Sequence, residues 1–296
     1  MYYNLLTKPF INDNKNQNIN EKNLLEALNS SYNNSAFSTF PYIYHKMNSK
    51  ESLQFFKSGN CIALSMYLKF FLKNKYNIKS YLIPASVPNI FKRNGYLDIS
   101  HVALAVQKNK NIIYILDPAF YFIKPMKIDL KNINQMNQMY MKNIYSDTLD
   151  LFNYKLIRND KQIKLNNYQK LPKNTLYSQC NFADNKYDIW NYYLREIKNP
   201  DVAISSFFIN LLKFQPFITK TKLISGDCKC EIMVKFRDNN NIEIKHYNNL
   251  LYYGDSKLIP KNVINFLNQN LNQFFEKQLR YYLNLKNIKK KEIKFD

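Results

Sequence analysis

The most constraining feature of the sequence is an apolar segment at 61–73, which reads CIALSMYLKFFLK. Its apolar residues fall on nearly every face of a helix, and such a helix has to be buried by the elements around it. The segment is shorter than the roughly 18 apolar residues that a membrane span needs. Because Gly59 and Asn60 precede it, we expect a buried helix with Cys61 in its first turn.

A β-hairpin is predicted downstream of this helix. A short strand at Tyr81–Pro84 is followed by two apolar runs, His101–Gln107 and Ile112–Asp117, and a four-residue polar break separates the two runs. Along the first run, valine and leucine alternate with His101 and two alanines. Because small residues allow a helix to approach closely, we expect the histidine face to pack against the 61–73 helix.

The rest of the chain gives coarser signals. The predicted elements are a helix from Asn20 through Leu28, a loop at Asn29–Ser38, a helix at Ser49–Phe56, a polar connector with weak helical and strand pieces at 130–180, a mixed helix and strand region at Trp190–Phe214, a hairpin of Cys230–Arg237 and Ile242–Tyr247, and a long helix at Pro260–Leu285. We divide the chain into an N-terminal helical segment (1–78), a β-rich segment with the histidine and the aspartate (79–180), and a C-terminal α/β segment (181–296).

The charge of the chain is strongly positive. Lys and Arg number 43 against 22 Asp and Glu, a formal net charge of +21, yet only five of the basic residues are arginine. Bidentate readers of bases and phosphates rely on arginine, so nonspecific attraction of anions is expected and specific nucleic-acid reading is not favoured. With neither a membrane span nor a secretory leader evident, we expect an intracellular, cytoplasmic protein.

Four cysteines in 296 residues are too few for a disulfide scaffold. Cys228 and Cys230 flank a single lysine, and His246 follows them. Zinc sites usually have two residues between paired cysteines and a second matching pair of ligands. We therefore expect two strand thiols here and no metal.

Three residues together predict acyl-transfer chemistry. Cys61 opens a buried helix, His101 opens a strand, and Asp117 closes the partner strand. The positive end of a helix dipole stabilises a thiolate, an imidazole can accept the thiol proton, and a carboxylate can orient the imidazole. His101 and Asp117 share a face of the hairpin only if the loop between them is odd-numbered or bulged.

Three further residues are predicted to contact substrate or a developing oxyanion. Gly59 is one of only four glycines and indicates a close backbone approach, which would leave the Cys61 N–H free to face an oxyanion. Asn60 and Phe120 are the other two candidates.

These motifs resemble the arylamine N-acetyltransferase family and, more distantly, the transglutaminase-like enzymes. The matching pieces are Ser58-Gly-Asn-Cys61, Ser100-His101-Val-Ala-Leu-Ala-Val and Ile115-Leu-Asp117-Pro-Ala-Phe120. The resemblance implies an α+β fold with a papain-like or transglutaminase-like core, a central antiparallel sheet and a C-terminal α/β segment. It also implies a Cys61-His101-Asp117 triad, acetyl-CoA as co-substrate, a small-molecule amine as acceptor, and no permanently bound cofactor.

The sequence differs from the family's pattern at three places. The family's Arg-Gly-Gly-x-Cys is Lys57-Ser-Gly-Asn-Cys here, its glycine-rich turn after the aspartate is 118–125, and its Pro-Phe-Glu-Asn element corresponds at best to Ala36-Phe-Ser-Thr. A Ser-x-Phe element of the C-terminal region corresponds faintly to Ser205-Ser-Phe207.

Two other functions stay open from the sequence. The same triad could serve a transglutaminase-like transferase or a cysteine amide hydrolase that acts on proteins, and the Asp117-Pro118 pair is also a transglutaminase-like feature. Alternatively, the fold could be an inactive binding or structural module whose basic surface contacts nucleic acid or another partner.

Overall fold

Helices at the N-terminal end pack against two large β-sheets in the part of the chain that the computed structural model describes. That part comprises residues 9–12, 16–92, 96–144, 146–165, 170–201, 217–224, 227–237, 240–271 and 279. The helices within it are α1 (Glu21–Asn34), α2 (Phe40–His45), α3 (Ser49–Phe56), α4 (Cys61–Tyr76) and α5 (Lys261–Asn270). Two 3₁₀ turns cover Phe10–Asn12 and Asn89–Phe91.

The predicted helices are present, with two corrections. Helix α1 starts where expected, after the Asn20 cap, but continues to Asn34, so the predicted loop at Asn29–Ser38 is wrong. Tyr32 in the extra turn is buried in the core beside α4, which favours continuing the helix. Helix α4 is not buried on every face, because Phe70 is 44% exposed.

An eight-stranded antiparallel sheet forms the centre of the molecule. Its strands are β3 (Tyr81–Ala85), β4 (His101–Gln107), β5 (Ile112–Leu116), β6 (Met126–Asp129), β7 (Asn137–Asn143), β8 (Thr148–Arg158), β11 (Leu176–Phe182) and β12 (Ile189–Tyr193). They lie side by side in the order β6-β5-β4-β3-β12-β11-β8-β7. An isolated bridge joins Phe122, between β5 and β6, to Met141 on the edge strand β7. The sheet therefore curls, so that the connection between β5 and β6 at one edge contacts β7 at the other edge.

The region 130–180 is more regular than the predicted connector with weak helical and strand pieces, since it supplies three strands of the central sheet. Buried Phe152, Tyr154 and Leu156 alternate with more exposed residues along β8, and β11 shows the same alternation. Asparagine, lysine and glutamine at the outward positions hid the two-residue period of these strands.

A second, six-stranded sheet runs in the order β16-β15-β14-β13-β1-β2. Its strands are β1 (Ala36–Ser38), β2 (Ser58–Gly59), β13 (Phe217–Ile224), β14 (Asp227–Phe236), β15 (Asn241–His246) and β16 (Asn249–Asp255); a separate pair is formed by β9 (Ile163–Lys164) and β10 (Lys170–Leu171). The hairpin predicted from Cys230 to Tyr247 is confirmed as β14 and β15. This sheet joins strands from both ends of the chain, and the three-segment division stays a prediction.

The hairpin of β4 and β5 is confirmed, but the face of β4 that packs on α4 is the opposite of the one expected. Val102, Leu104 and Val106 share the core cluster of α1 and α4, whereas Ala103 and Ala105 belong to the cluster on the other side. That second cluster contains large side chains, Trp190, Tyr192, Phe122 and Phe152 among them. Small alanines leave room for these aromatic rings, and the larger aliphatic residues fill the space beneath the helices.

The helix expected at Pro260–Leu285 begins as predicted, with Pro260 preceding Lys261. Its continuation beyond 271 lies, apart from Leu279, outside the described residues, as does Ser205-Ser-Phe207. None of the helices in the described ranges is both long enough and apolar enough to cross a membrane.

Candidate active site

The site is built around the N-terminus of α4. The Asn60 side chain caps this helix, since its Oδ1 accepts hydrogen bonds from the backbone N–H groups of Ile62 at 3.0 Å and Ala63 at 3.2 Å. Cys61 is the first helical residue and is 8% exposed. The cap thus holds the cysteine at the positive end of a sixteen-residue helix.

Gly59 is required by packing immediately before this cap. A Cβ atom at this position would lie 2.4 Å from the Ala63 Cβ and 2.6 Å from the Tyr42 hydroxyl, so no larger residue fits. Gly59 also pairs in parallel with Phe37 of β1. The close backbone approach is therefore confirmed, while a role of Gly59 toward an oxyanion stays a prediction.

The register of the β4–β5 hairpin places His101 and Asp117 on one face. Gln107 opposes Ile113, so the paired positions enclose five residues, an odd number. Two-residue periodicity then puts Asp117, directly after β5, on the face that carries Ala103 and His101. The geometric condition that the sequence left open is met.

His101 and Asp117 form a buried pair. The His101 Nε2 lies 2.6 Å from the Asp117 Oδ2, and the two residues are 3% and 0% exposed. The other carboxylate oxygen, Oδ1, accepts the backbone N–H groups of Ala119 at 3.2 Å and Phe120 at 3.0 Å. The turn after β5 therefore fixes the carboxylate in place.

The Tyr192 hydroxyl completes the surroundings of Asp117 by donating to its Oδ2 at 2.8 Å. Tyr192 comes from β12 and is fully buried. Tyr192 was not predicted as a site residue, because it lies 75 residues beyond Asp117 and only the sheet order brings the two together. A buried tyrosine in a short strand gives no signal of such a contact in one sequence.

Cys61 is close enough to His101 to raise the pKa of the imidazole. Because Asp117 occupies Nε2, Nδ1 is the imidazole nitrogen that remains for the sulfur. Burial by itself lowers the pKa of His101, but Asp117 and the Cys61 side chain outweigh it, and the net effect raises the pKa to about 10. The site therefore favours a protonated imidazole.

Phe120 stacks on the imidazole ring. The two ring centres are 4.2 Å apart and the ring planes are inclined by 10°. The stack and the carboxylate together fix the orientation of His101. The predicted site residue Phe120 is thus beside the triad.

A cavity of about 270 Å³ opens onto this group. Asn60, Cys61, His101 and Phe120 line it, and most of the remaining wall is apolar. Phe37, from the segment that replaces the family's Pro-Phe-Glu-Asn element, is on the same wall. The triad is consequently accessible from an apolar cavity although each of its members is buried.

The described residues contain no group of three or more His, Cys, Asp or Glu placed to hold a metal ion. Cys230 is buried on β14, and nothing in the described residues brings His246 to it as a ligand.

The fold is similar to solved structures of arylamine N-acetyltransferases. One, from Bacillus cereus, is reported with a Cys-His-Glu triad and matches with a TM-score of 0.53 at 11% identity, over 84% of this chain and 90% of that chain. Arylamine N-acetyltransferase C from Bacillus anthracis matches with a TM-score of 0.52 at 13% identity, over 86% and 92%. The Mycobacterium marinum enzyme, solved in complex with CoA, matches with a TM-score of 0.50 at 12% identity, over 88% and 89%.

No protein-family model and no curated protein matches the sequence. At identities of 11–13%, the likeness to solved structures concerns the fold. The predicted α+β fold of the arylamine N-acetyltransferase type, with its papain-like core, is confirmed at that level.

Proposed function

We propose that the protein is a cysteine acyltransferase that carries an acyl group from a thioester to an amine through an acyl-enzyme on Cys61. One observation carries the proposal: the buried His101 imidazole is paired with the Asp117 carboxylate and lines one cavity together with Cys61. Nucleophile, base and orienting group are the three parts that acyl transfer requires.

In the first half-reaction, the Cys61 sulfur attacks the carbonyl carbon of a thioester, and its thiol proton resides on His101 Nδ1. A carbon–sulfur bond to Cys61 forms while the carbonyl π electrons move onto oxygen. The oxyanion then re-forms the carbonyl, the bond to the donor's sulfur breaks, and His101 returns the proton to the departing thiolate. The products are an acyl-Cys61 and a free thiol.

In the second half-reaction, an amine attacks the acyl-Cys61 carbonyl. His101 accepts a proton from the amine nitrogen, the carbon–nitrogen bond forms, and the Cys61 sulfur leaves as it regains a proton. Asp117 holds the imidazole through Nε2, which leaves Nδ1 as the nitrogen for the reacting atoms. Two such half-reactions give ping-pong kinetics.

Acetyl-CoA is the donor we propose, as a co-substrate and not as a bound cofactor. A structural neighbour was solved in complex with CoA. The cavity of about 270 Å³ is slightly smaller than the roughly 300–1,000 Å³ of typical ligand sites, so it suits an acyl group and leaves the nucleotide outside. The net charge of +21 favours an anionic donor.

The acceptor we propose is a flat, apolar amine of small size. Seven aromatic side chains contribute to the cavity wall, namely Phe37, Phe91, Tyr96, Phe120, Tyr121, Phe182 and Phe217. Aromatic walls favour ring stacking with an aromatic acceptor.

The test is incubation with acetyl-CoA, followed by digestion and mass spectrometry. We expect one acetyl group on Cys61, lost again when an arylamine is added, and no acetyl group on Cys230. Crosslinking or hydrolysis of peptides without any thioester would instead support the transglutaminase-like or hydrolase alternative. An unacetylated Cys61 at saturating acetyl-CoA, with no reaction on peptides, would contradict acyl transfer.

A further inference from the structure

We infer that Asn60 is a catalytic residue whose side-chain Nδ2 donates a hydrogen bond to the oxyanion formed when Cys61 attacks an acyl carbonyl. The inference rests on the proposed acyl transfer and extends it, because it assigns the group that holds the reacting oxygen.

The orientation of the Asn60 amide is fixed by its oxygen. Oδ1 accepts from the backbone N–H groups of Ile62 and Ala63, and the Tyr42 hydroxyl lies 2.9 Å from it. The two backbone N–H groups can only donate, so the atom that receives them must be the oxygen. Nδ2 is therefore the amide atom on the opposite side of the group.

Nδ2 has no hydrogen-bond partner among the described residues, although it is buried. Asn60 as a whole is 4% exposed. Buried polar donors in folded proteins are nearly always paired, so an unpaired one next to a cavity indicates a partner that arrives with the substrate. Asn60 lines the cavity next to Cys61, and the acceptor that develops there during acyl transfer is the carbonyl oxygen.

The position of Asn60 is suited to that role. It directly precedes Cys61 in the chain, and both residues line the cavity with His101. Its backbone N–H is already used, since it donates to the Tyr42 hydroxyl at 3.0 Å. The Cys61 backbone N–H, in the first turn of α4, has no intrahelical acceptor, so it and Asn60 Nδ2 supply two donors.

A hydrogen bond from this pair strengthens as the carbonyl oxygen gains charge, which is the condition for accelerating the reaction. The same side chain thus has two separable tasks. Oδ1 caps the helix and positions Cys61, and Nδ2 binds the oxyanion.

The variant Asn60→Ser separates these tasks. Serine is an effective N-cap and can still accept from the first-turn N–H groups, but it has no amide donor. Two reactions of Cys61 are compared: acetylation by acetyl-CoA or p-nitrophenyl acetate, which forms an oxyanion, and alkylation by iodoacetamide, which forms none. We expect Asn60→Ser to slow acetylation by about 10²–10³-fold and to leave the alkylation rate unchanged.

Asn20→Ser is the matched control, because Asn20 caps α1 in the same way, accepting from the Lys22 N–H at 3.0 Å. It should change neither reaction. Asn60→Asp is the second variant, which keeps the capping oxygen if the serine variant does not fold, and it should also slow acetylation. Circular dichroism establishes that each variant is folded.

Equal slowing of acetylation and alkylation in the folded variants would overturn the inference, since Asn60 would then only position Cys61. Unchanged acetylation would overturn it as well, while leaving the proposed function intact. If the unaltered protein is not acetylated by either donor while iodoacetamide modifies Cys61, the proposed function fails and the inference fails with it.

Discussion

Two cysteine thiols of this protein are equally buried, although one lies at the start of a helix and the other on a β-strand. Cys61 at the start of α4 and Cys230 on β14 are each 8% exposed. Cys230 packs with Ile144 and Met233, and its thiol donates a weak hydrogen bond to the Ile232 carbonyl at 3.7 Å. Burial raises the pKa of Cys230 to about 12, with nearby Asp147 and Glu231 adding to the shift.

Cys61 differs from Cys230 in its partners and not in its exposure. It lines a cavity together with an imidazole that a carboxylate holds, and it begins a helix. If the proposed function holds, the base and the helix N-terminus activate Cys61, whereas a thiol that is only buried stays inert. Removing the features of Cys61 one at a time tests this statement.

Removing the sulfur has the largest expected effect. Cys61→Ala should lower acyl transfer by at least about 10⁴-fold, because Cys61 is the one thiol among the described residues that line the cavity. Cys230→Ala is the matched control and should retain transfer at close to the unaltered rate. Comparable losses in both variants would show that cysteine loss acts through the fold, and full activity of Cys61→Ala would remove the nucleophile from the account.

Neutralising the carboxylate comes next. Asp117→Asn keeps the size of the side chain but permits the wrong imidazole tautomer, so we expect kcat to fall by about 10³–10⁴-fold. Steady-state kinetics at several pH values measure it, and Cys230 should be as unreactive as before. An Asp117→Asn protein with unaltered kcat would show that His101 needs no orienting partner.

Removing only the Tyr192 hydroxyl has a smaller effect. Tyr192→Phe deletes one hydrogen bond to a charged group, worth about 1.5–3 kcal/mol, so a loss of roughly 10- to 100-fold in kcat is expected. As a positioning residue, Tyr192 should also shift the pH profile of kcat through Asp117. A lower melting temperature with an unshifted profile would indicate a purely structural role.

The smallest expected effect is on the way the free energy of unfolding depends on pH. Asp117 and Cys61 raise the pKa of His101 to about 10 against the opposing effect of burial, above an ordinary value of about 6.5. Stabilisation by protonated His101 is therefore complete below about pH 6.5 and is lost as the pH rises toward 10. The unfolding free energy of the unaltered protein relative to His101→Gln should fall across that window in urea titrations.

A difference that is constant, or that grows, between pH 6.5 and 10 would contradict the raised pKa of His101. The same titration on Cys230→Ala provides the comparison with the other thiol. The protonated histidine lies beside Cys61, so this window should be present in Cys230→Ala as in the unaltered protein.

Much of the site could be predicted from the sequence, because its residues sit at the ends of strongly patterned elements. The apolar run placed Cys61 at a helix start, and the hairpin pattern placed His101 and Asp117. Whether the hairpin loop has an odd or an even number of residues could not be predicted, since it depends on whether Gln107 pairs with Ile113 or with a neighbour of Ile113.

Contacts between strands that are distant in the chain could not be predicted either, because they also depend on how the strands pair. Tyr192 reaches Asp117 only because β12 pairs with β3 in the central sheet, and one sequence carries no signal of strand order. The prediction of which face of β4 packs on α4 was also wrong, because small alanines can admit either a helix or large aromatic rings. Here Trp190 and its neighbours take that space.

The most direct test of the central claim is the order in which iodoacetamide modifies the cysteines of the folded protein at neutral pH, followed by mass spectrometry of digests. The account predicts that Cys61 is alkylated well before Cys230, and that His101→Gln removes this lead. If Cys61 reacts no faster than Cys230, or as fast without the imidazole as with it, then His101 does not activate the thiol.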